Sequence, residues 1–299
     1  MKPYVTLFIG VLSVSFAAIF IRLAEAPPLM IAAYRLTIAS VILIPIASIR
    51  ARPGLKSLTK LSRHDTLLIL LSSVFIALHF GLWITSLGYT SIASSVILVT
   101  SHPAFVAVIS YFLWGERLNK LTISGIVVAL TGVIFINYGG FTFGSRAILG
   151  DLLALTAGFA MGAYLVIGGQ LRARIGILSY LTIIYTCSAL MLLAATIIFG
   201  HSLFGYSPIT YLMLILLALG PQLIGHSSLN LAVRLIPVTF VSVAILGEPV
   251  GATLLGYFIL SEVPTANEIA GGLLILGGIF MVMRRRPKGW VVESIEGIK

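Results

Sequence analysis

Cysteine is almost missing from this chain. Cys187 is the single one, so no disulfide can close within it and nothing follows about a redox compartment. Charge is scarce as well: 9% of the 299 residues are charged, against about a quarter in an ordinary soluble domain. A surface facing water cannot be built from so few. Several chemistries lack their motifs too. There is no G-x-x-x-x-G-K-[ST] loop to cradle a nucleotide, which argues against an ATP-driven mechanism. Neither H-E-x-x-H nor G-x-S-x-G occurs, and the five histidines show no metal-ligand spacing, so an integral-membrane enzyme has no constellation to work with. No metal and no other cofactor is expected.

What is present is hydrocarbon. Hydrophobic residues make up 59% of the chain, and the mean hydropathy is +1.11. Because a bilayer core of about 30 Å takes about 20 apolar residues per helix, the apolar runs read as ten spans, at about 4–22, 29–49, 66–88, 91–114, 121–138, 148–168, 178–200, 209–230, 236–260 and 266–283. The first run lacks a small-residue cleavage region, so it is read as a retained helix rather than a signal peptide.

The net charge of +10 would suit nucleic acid, but no soluble domain is left to bind it. Topology explains the charge better. With the N-terminus in the cytoplasm, sixteen of the 19 basic residues fall on that side, among them Arg50, Arg63, Arg172, Arg174, Arg234 and the Arg284–Arg286 run. Only Arg22 and Arg146 fall outside, and Arg35 lies within a span. That bias orients the chain with both termini cytoplasmic.

The chain is also one unit written twice. Thr100–Glu116 and Leu246–Glu262 share a layout 146 positions apart: Pro103 answers Pro249, Tyr111–Phe112 answers Tyr257–Phe258, and Glu116 answers Glu262. The register continues through Gly125 with Gly271 and Gly132 with Gly278. Each copy holds five spans, an odd number, so the second copy must enter the membrane from the other side. The expected fold is an all-α membrane protein of ten transmembrane helices in two inverted five-helix repeats. The first repeat is 1–140, the second 141–284, and 285–299 is a cytoplasmic tail. Inverted repeats are the architecture of alternating-access carriers, with the site at mid-membrane between the halves.

Polar groups inside spans face protein or a wet cavity. His79 and Trp83 lie four apart on one helical face and are read as cavity lining. His102 sits beside Pro103, whose missing N–H frees a carbonyl near position 99; it either lines the cavity or satisfies that backbone. Glu248, the counterpart of His102, is the one carboxylate at mid-membrane. It suits a proton relay, a counter-charge for a substrate ammonium, or a structural partner for a neighbouring helix. Gln222, His226 and Asn230 form a polar stripe on the eighth span, where Gln222 follows Pro221. Tyr34 and Arg35 lie toward the outer end of the second span, and Arg35 is expected to snorkel to the surface, the alternative being capture of a carboxylate. Ser15 and Phe16 in the first span and Tyr164 in the sixth are candidates for opposite walls. Pro103 and Pro249 are the candidate hinges. Gly125, Gly132, Gly271 and Gly278 are read as packing seams.

On Glu248–Pro249, Glu262, the glycine-rich tenth span, Pro103 and Gly115–Arg117, the chain resembles the drug/metabolite transporter superfamily in its ten-helix EamA-type branch. The run VILVTSHPAFVAVISYFLWGERL is similar to bacterial aromatic amino-acid exporters of the YddG type. That resemblance implies a secondary transporter in the bacterial inner membrane, exporting aromatic and other neutral amino acids by alternating access. Small cationic-drug exporters of the superfamily use a carboxylate in the first helix, which this first span lacks. Another small metabolite or a cationic drug is the alternative cargo, and a channel or membrane enzyme a remote one. The expected partners are a small-molecule substrate (an amino acid) and the lipid bilayer, with no nucleic acid, and the expected unit is a monomer.

Overall fold

A computed structural model describes residues 3–51, 54, 61–115, 117–138, 144–261 and 263–284. Every regular element among them is helical. Nine helical segments are long and apolar enough to cross a bilayer, and Lys120–Ile136, with 17 residues, is a shorter tenth. The protein is a multi-pass membrane protein. The sequence-derived spans agree with these segments to within a few residues nearly everywhere, since the bilayer fixes how long an apolar run must be. Glu116, Glu262 and the tail from 285 lie outside the described residues.

Four spans are not simple α-helices. The first divides at Phe16 into α1 (Pro3–Ser15) and α2 (Ala17–Leu23). The second and third are α3 (Pro28–Arg50) and α4 (Arg63–Ser86). The fourth divides into α5 (Ile92–Val99) and α6 (His102–Trp114), and Pro103 stands in the first turn of α6, where its missing N–H costs nothing. Then come α7 (Lys120–Ile136), α8 (Ser145–Arg174) and α9 (Ile177–Ile198). The eighth span starts as α10 (Pro208–Leu217), widens into a π-helix over Ala218–His226, and ends as α11 (Ser227–Leu235). The ninth divides at Leu246 into α12 (Val238–Ile245) and α13 (Gly247–Leu260), and α14 (Ala266–Met283) is the tenth.

The main packing pairs are α7 with α14, α4 with α8, α3 with α9, α1 with the eighth span, and α8 with α5 and α6. In lipid the helices associate through close packing and hydrogen bonds, and small residues allow the approach. The α7–α14 seam is the tightest. A Cβ at Gly132 would sit 2.5 Å from the Gly271 carbonyl oxygen, and one at Gly278 2.5 Å from that of Gly125. The pair is antiparallel, and each glycine meets the counterpart of the other. Such reciprocity is what a twofold axis between two helices produces. The 146-residue register recurs at the ends of the fourth and ninth spans: Gly115 (φ 64°) and Ser261 (φ 58°) both close their helices in the left-handed conformation. It recurs again in the edge-to-face pairs Tyr111–Phe112 and Tyr257–Phe258.

Because successive spans alternate in direction, the bundle has two ends. Arg50, Arg63, Arg174 and Arg234 mark a basic end, and Arg22, Arg146, Asp151 and Glu268 lie toward the opposite one.

Candidate functional site

A cavity of about 100 Å³ opens between the middle of the bundle and the opposite end. Its walls come from seven spans, and its charged and polar lining is Arg35, His79, Trp83, Thr100, His102, His226 and Glu248. The breaks described above put several of these residues there. His102 begins α6, Glu248 lies in the first turn of α13, and His226 ends the π-helix. Pro221 lacks the N–H that an α-helical turn would use, and its ring crowds the preceding turn. The wider π register absorbs both effects and holds Gln222 and His226 buried toward the interior.

Arg35 is only 1% exposed, so it does not snorkel to a surface. Its Nε donates to Gln222 Oε1 at 2.6 Å, and its guanidinium lies over the Phe80 ring, 4.2 Å from the centroid. Both terminal nitrogens, Nη1 and Nη2, have no hydrogen-bond partner among the described residues. The expectation of snorkelling failed because Gln222 and Phe80, remote in sequence, supply a polar and a π contact at depth. Glu248 faces the same cavity, and no ion pair joins the two charges among the described contacts.

His79 Nδ1 lies 3.1 Å from the Ala157 carbonyl, so it must donate. In that tautomer a neutral imidazole offers Nε2 as an acceptor. Trp83 stacks on His79 at 6.0 Å, and its indole Nε1 has no hydrogen-bond partner among the described residues. His226 meets the edge of Phe80 at 5.1 Å. The cavity wall is therefore mostly aliphatic, with the Phe80 and Trp83 rings and three imidazoles in it and one cation and one carboxylate facing inward.

Four pairs of residues 146 positions apart line this one cavity: Phe80 and His226, Trp83 and Leu229, Val99 and Ile245, His102 and Glu248. Phe80 and His226 touch one another. This register pairs Phe80 with His226. It is also the signal by which Phe80 and Leu229 could have been found in the sequence.

Toward the basic end the bundle is packed shut by polar groups. Tyr164 donates to Asn230 at 2.7 Å, and the Ser72 and Tyr180 hydroxyls pair at 3.0 Å. Tyr164 thus lies beneath the cavity rather than in its wall. Gln222 also stands behind the wall, bracing Arg35. The Ser15 hydroxyl donates to Val11 and packs against Gly251, and Phe16 stacks on Phe20. Tyr34 donates to the Leu203 carbonyl near the opposite end. None of these last three lines the cavity, because the break at Phe16 and the 199–207 connection claim them. Pro249 is in the lining and Pro103 is buried beside it.

The EamA-like transporter family is matched over residues 1–138 and 148–284. The chain belongs to that family. Among its relatives, the uncharacterized transporter YoaV of Bacillus subtilis is 28% identical, with 93% of this chain and 96% of that one covered. The uncharacterized transporter YdfC of the same organism is 25% identical over 92% and 88%. The pseudopaline exporter CntI of Pseudomonas aeruginosa is 28% identical over 76% and 78%. A solved crystal structure superposes with a TM-score of 0.80 at 20% identity, covering 95% of this chain and 96% of the other. As an EamA-like chain it is a transporter rather than an enzyme.

Proposed function

We propose that the protein is a secondary transporter that exports amino acids, aromatic and other neutral ones, across a bacterial inner membrane by alternating access through this cavity. The observation that carries the reading is the pair Arg35 and Glu248. They present opposite charges to one buried cavity without pairing to each other. A zwitterion needs that arrangement. Its carboxylate would meet the two free guanidinium nitrogens of Arg35, its ammonium would meet Glu248, and an aromatic or apolar side chain would lie against Trp83 and Phe80. A cationic drug would gain from Glu248 but would be repelled by Arg35, which makes it the weaker cargo.

Alternating access is supported by the symmetry of the site. Four counterpart pairs share one cavity, so an axis relating residues 1–140 to 141–284 would run through it, as in carriers built of inverted repeats. The basic end is assigned to the cytoplasm on charge. The structure then corresponds to a state with its cavity toward the outside and its cytoplasmic side packed. The names of the Pseudomonas aeruginosa relatives support the outward direction.

Counterflow in proteoliposomes tests the reading. Vesicles preloaded with unlabelled phenylalanine, threonine or ethidium should accumulate labelled phenylalanine only in the amino-acid cases, and E248Q should abolish the exchange. No exchange with any amino acid would overturn the cargo assignment.

A further inference from the structure

A second guanidinium is sealed inside the bundle, and the cavity does not use it. Arg172 lies near the basic end of α8, where basic residues of a loop are expected, yet it is fully buried. Its Nη1 and Nη2 reach the Leu165 carbonyl and the Tyr180 hydroxyl only at 3.4 Å each, long for a charged donor. Among the described residues Nε has no partner and no carboxylate pairs with the guanidinium. The Tyr164 and Tyr180 rings lie 5.4 and 5.0 Å from its centre. Gly168 leaves the space, since a Cβ there would strike Arg172 and Tyr180. A half-satisfied cation at this depth marks a pathway more often than a scaffold.

Its position is informative. The Tyr180 hydroxyl that Arg172 reaches also pairs with Ser72, and the Tyr164 ring beside its guanidinium belongs to the side chain that bonds Asn230, so Arg172 adjoins the polar layer that closes the basic end.

We propose that Arg172 is a second anion-binding station on the transport path. It is closed in this conformation, and it takes the carboxylate of incoming cargo when the bundle opens at the basic end. The inference rests on the carrier reading above and adds a site to it. In that state the Tyr164–Asn230 and Ser72–Tyr180 contacts part, and water and cargo reach Nη1, Nη2 and Nε.

Phenylglyoxal, which condenses with accessible guanidinium groups, tests this on the native protein in membrane vesicles, with modified sites read by peptide mass spectrometry. Arg172 should react at a rate within about tenfold of exposed Arg234, and phenylalanine should slow it. Arg172 left intact while Arg234 is consumed overturns the proposal, whatever the cargo. R172Q and R172K, assayed in sided vesicles, give the second readout. For phenylalanine offered at the basic side, R172Q should raise the half-saturating concentration about ten- to a hundredfold, the value of one charge-assisted hydrogen bond. From the opposite side it should change little, R172K should recover part of the loss, and phenethylamine, which lacks the carboxylate, should be unaffected. Equal losses from both sides or with both probes mean a structural role and sink the proposal. If the native protein carries no amino acid at all, the cargo assignment fails while the labelling result still decides whether Arg172 is reached.

Discussion

Arg35 keeps a charge inside the bundle by giving each part of its guanidinium a different neighbour: Gln222 for Nε, the Phe80 face for the planar group, and open cavity for Nη1 and Nη2. A lysine carries the charge but not the plane, and its single ammonium cannot satisfy all three. R35K and R35Q should both lose phenylalanine counterflow while remaining monodisperse in detergent. R35A should also destabilise, by about 1–3 kcal/mol, because Gln222 is left without its donor; a thermal midpoint by fluorescence-detected size exclusion measures it. His79 is held by the Ala157 carbonyl and stacks on Trp83. W83A removes the stacking wall and should weaken aromatic cargo more than threonine in the same assay.

Two elements carry the mechanics. The α7–α14 seam brings backbone against backbone, and neither partner can yield to a side chain. G132L should wedge the helices apart at a cost of about 1–3 kcal/mol or more, seen as a lowered midpoint and reduced yield, whereas a leucine at Gly277, which faces open space, should be silent. The π-helix of the eighth span behaves differently. Its width follows from Pro221, and it sets the bearing of Gln222 toward Arg35. P221A restores a backbone donor and permits an α-helical register, which turns Gln222 away. We expect counterflow to fall about tenfold or more, by the same charge-assisted bond arithmetic, with the midpoint unchanged or raised. A fall in both would mean that the proline serves folding instead.

For the molecule as a whole, the cavity sits toward one end and a packed polar layer toward the other. With Cys187 replaced by serine, a membrane-impermeant thiol reagent should reach A252C from the outside and spare S72C. Cargo supplied at the basic end should slow the first reaction and speed the second. Labelling of both positions from both sides at all times would describe a pore, not a carrier.

The sequence by itself determined the spans and the 146-residue register. Hydropathy reports the bilayer directly, and the register is carried by prolines, glycines and aromatic pairs that survive as letters. It also found His79, Trp83, His102, His226 and Glu248 as polar groups at depth. It ended the sixth span at 168 and counted Arg172 and Arg174 among the cytoplasmic basic residues; the helix runs on to Arg174 and buries Arg172. It sent Arg35 to the surface because a long cationic side chain within a span can snorkel. Whether a guanidinium stays at depth depends on groups supplied by other helices, here Gln222 and Phe80 for one arginine and Tyr164 and Tyr180 for the other. The π register that aims Gln222 was equally hidden, since a proline breaks an α-helix without stating how the backbone will recover. Only tertiary packing decided those points, because burial of a charge is a property of its neighbours and not of its own segment.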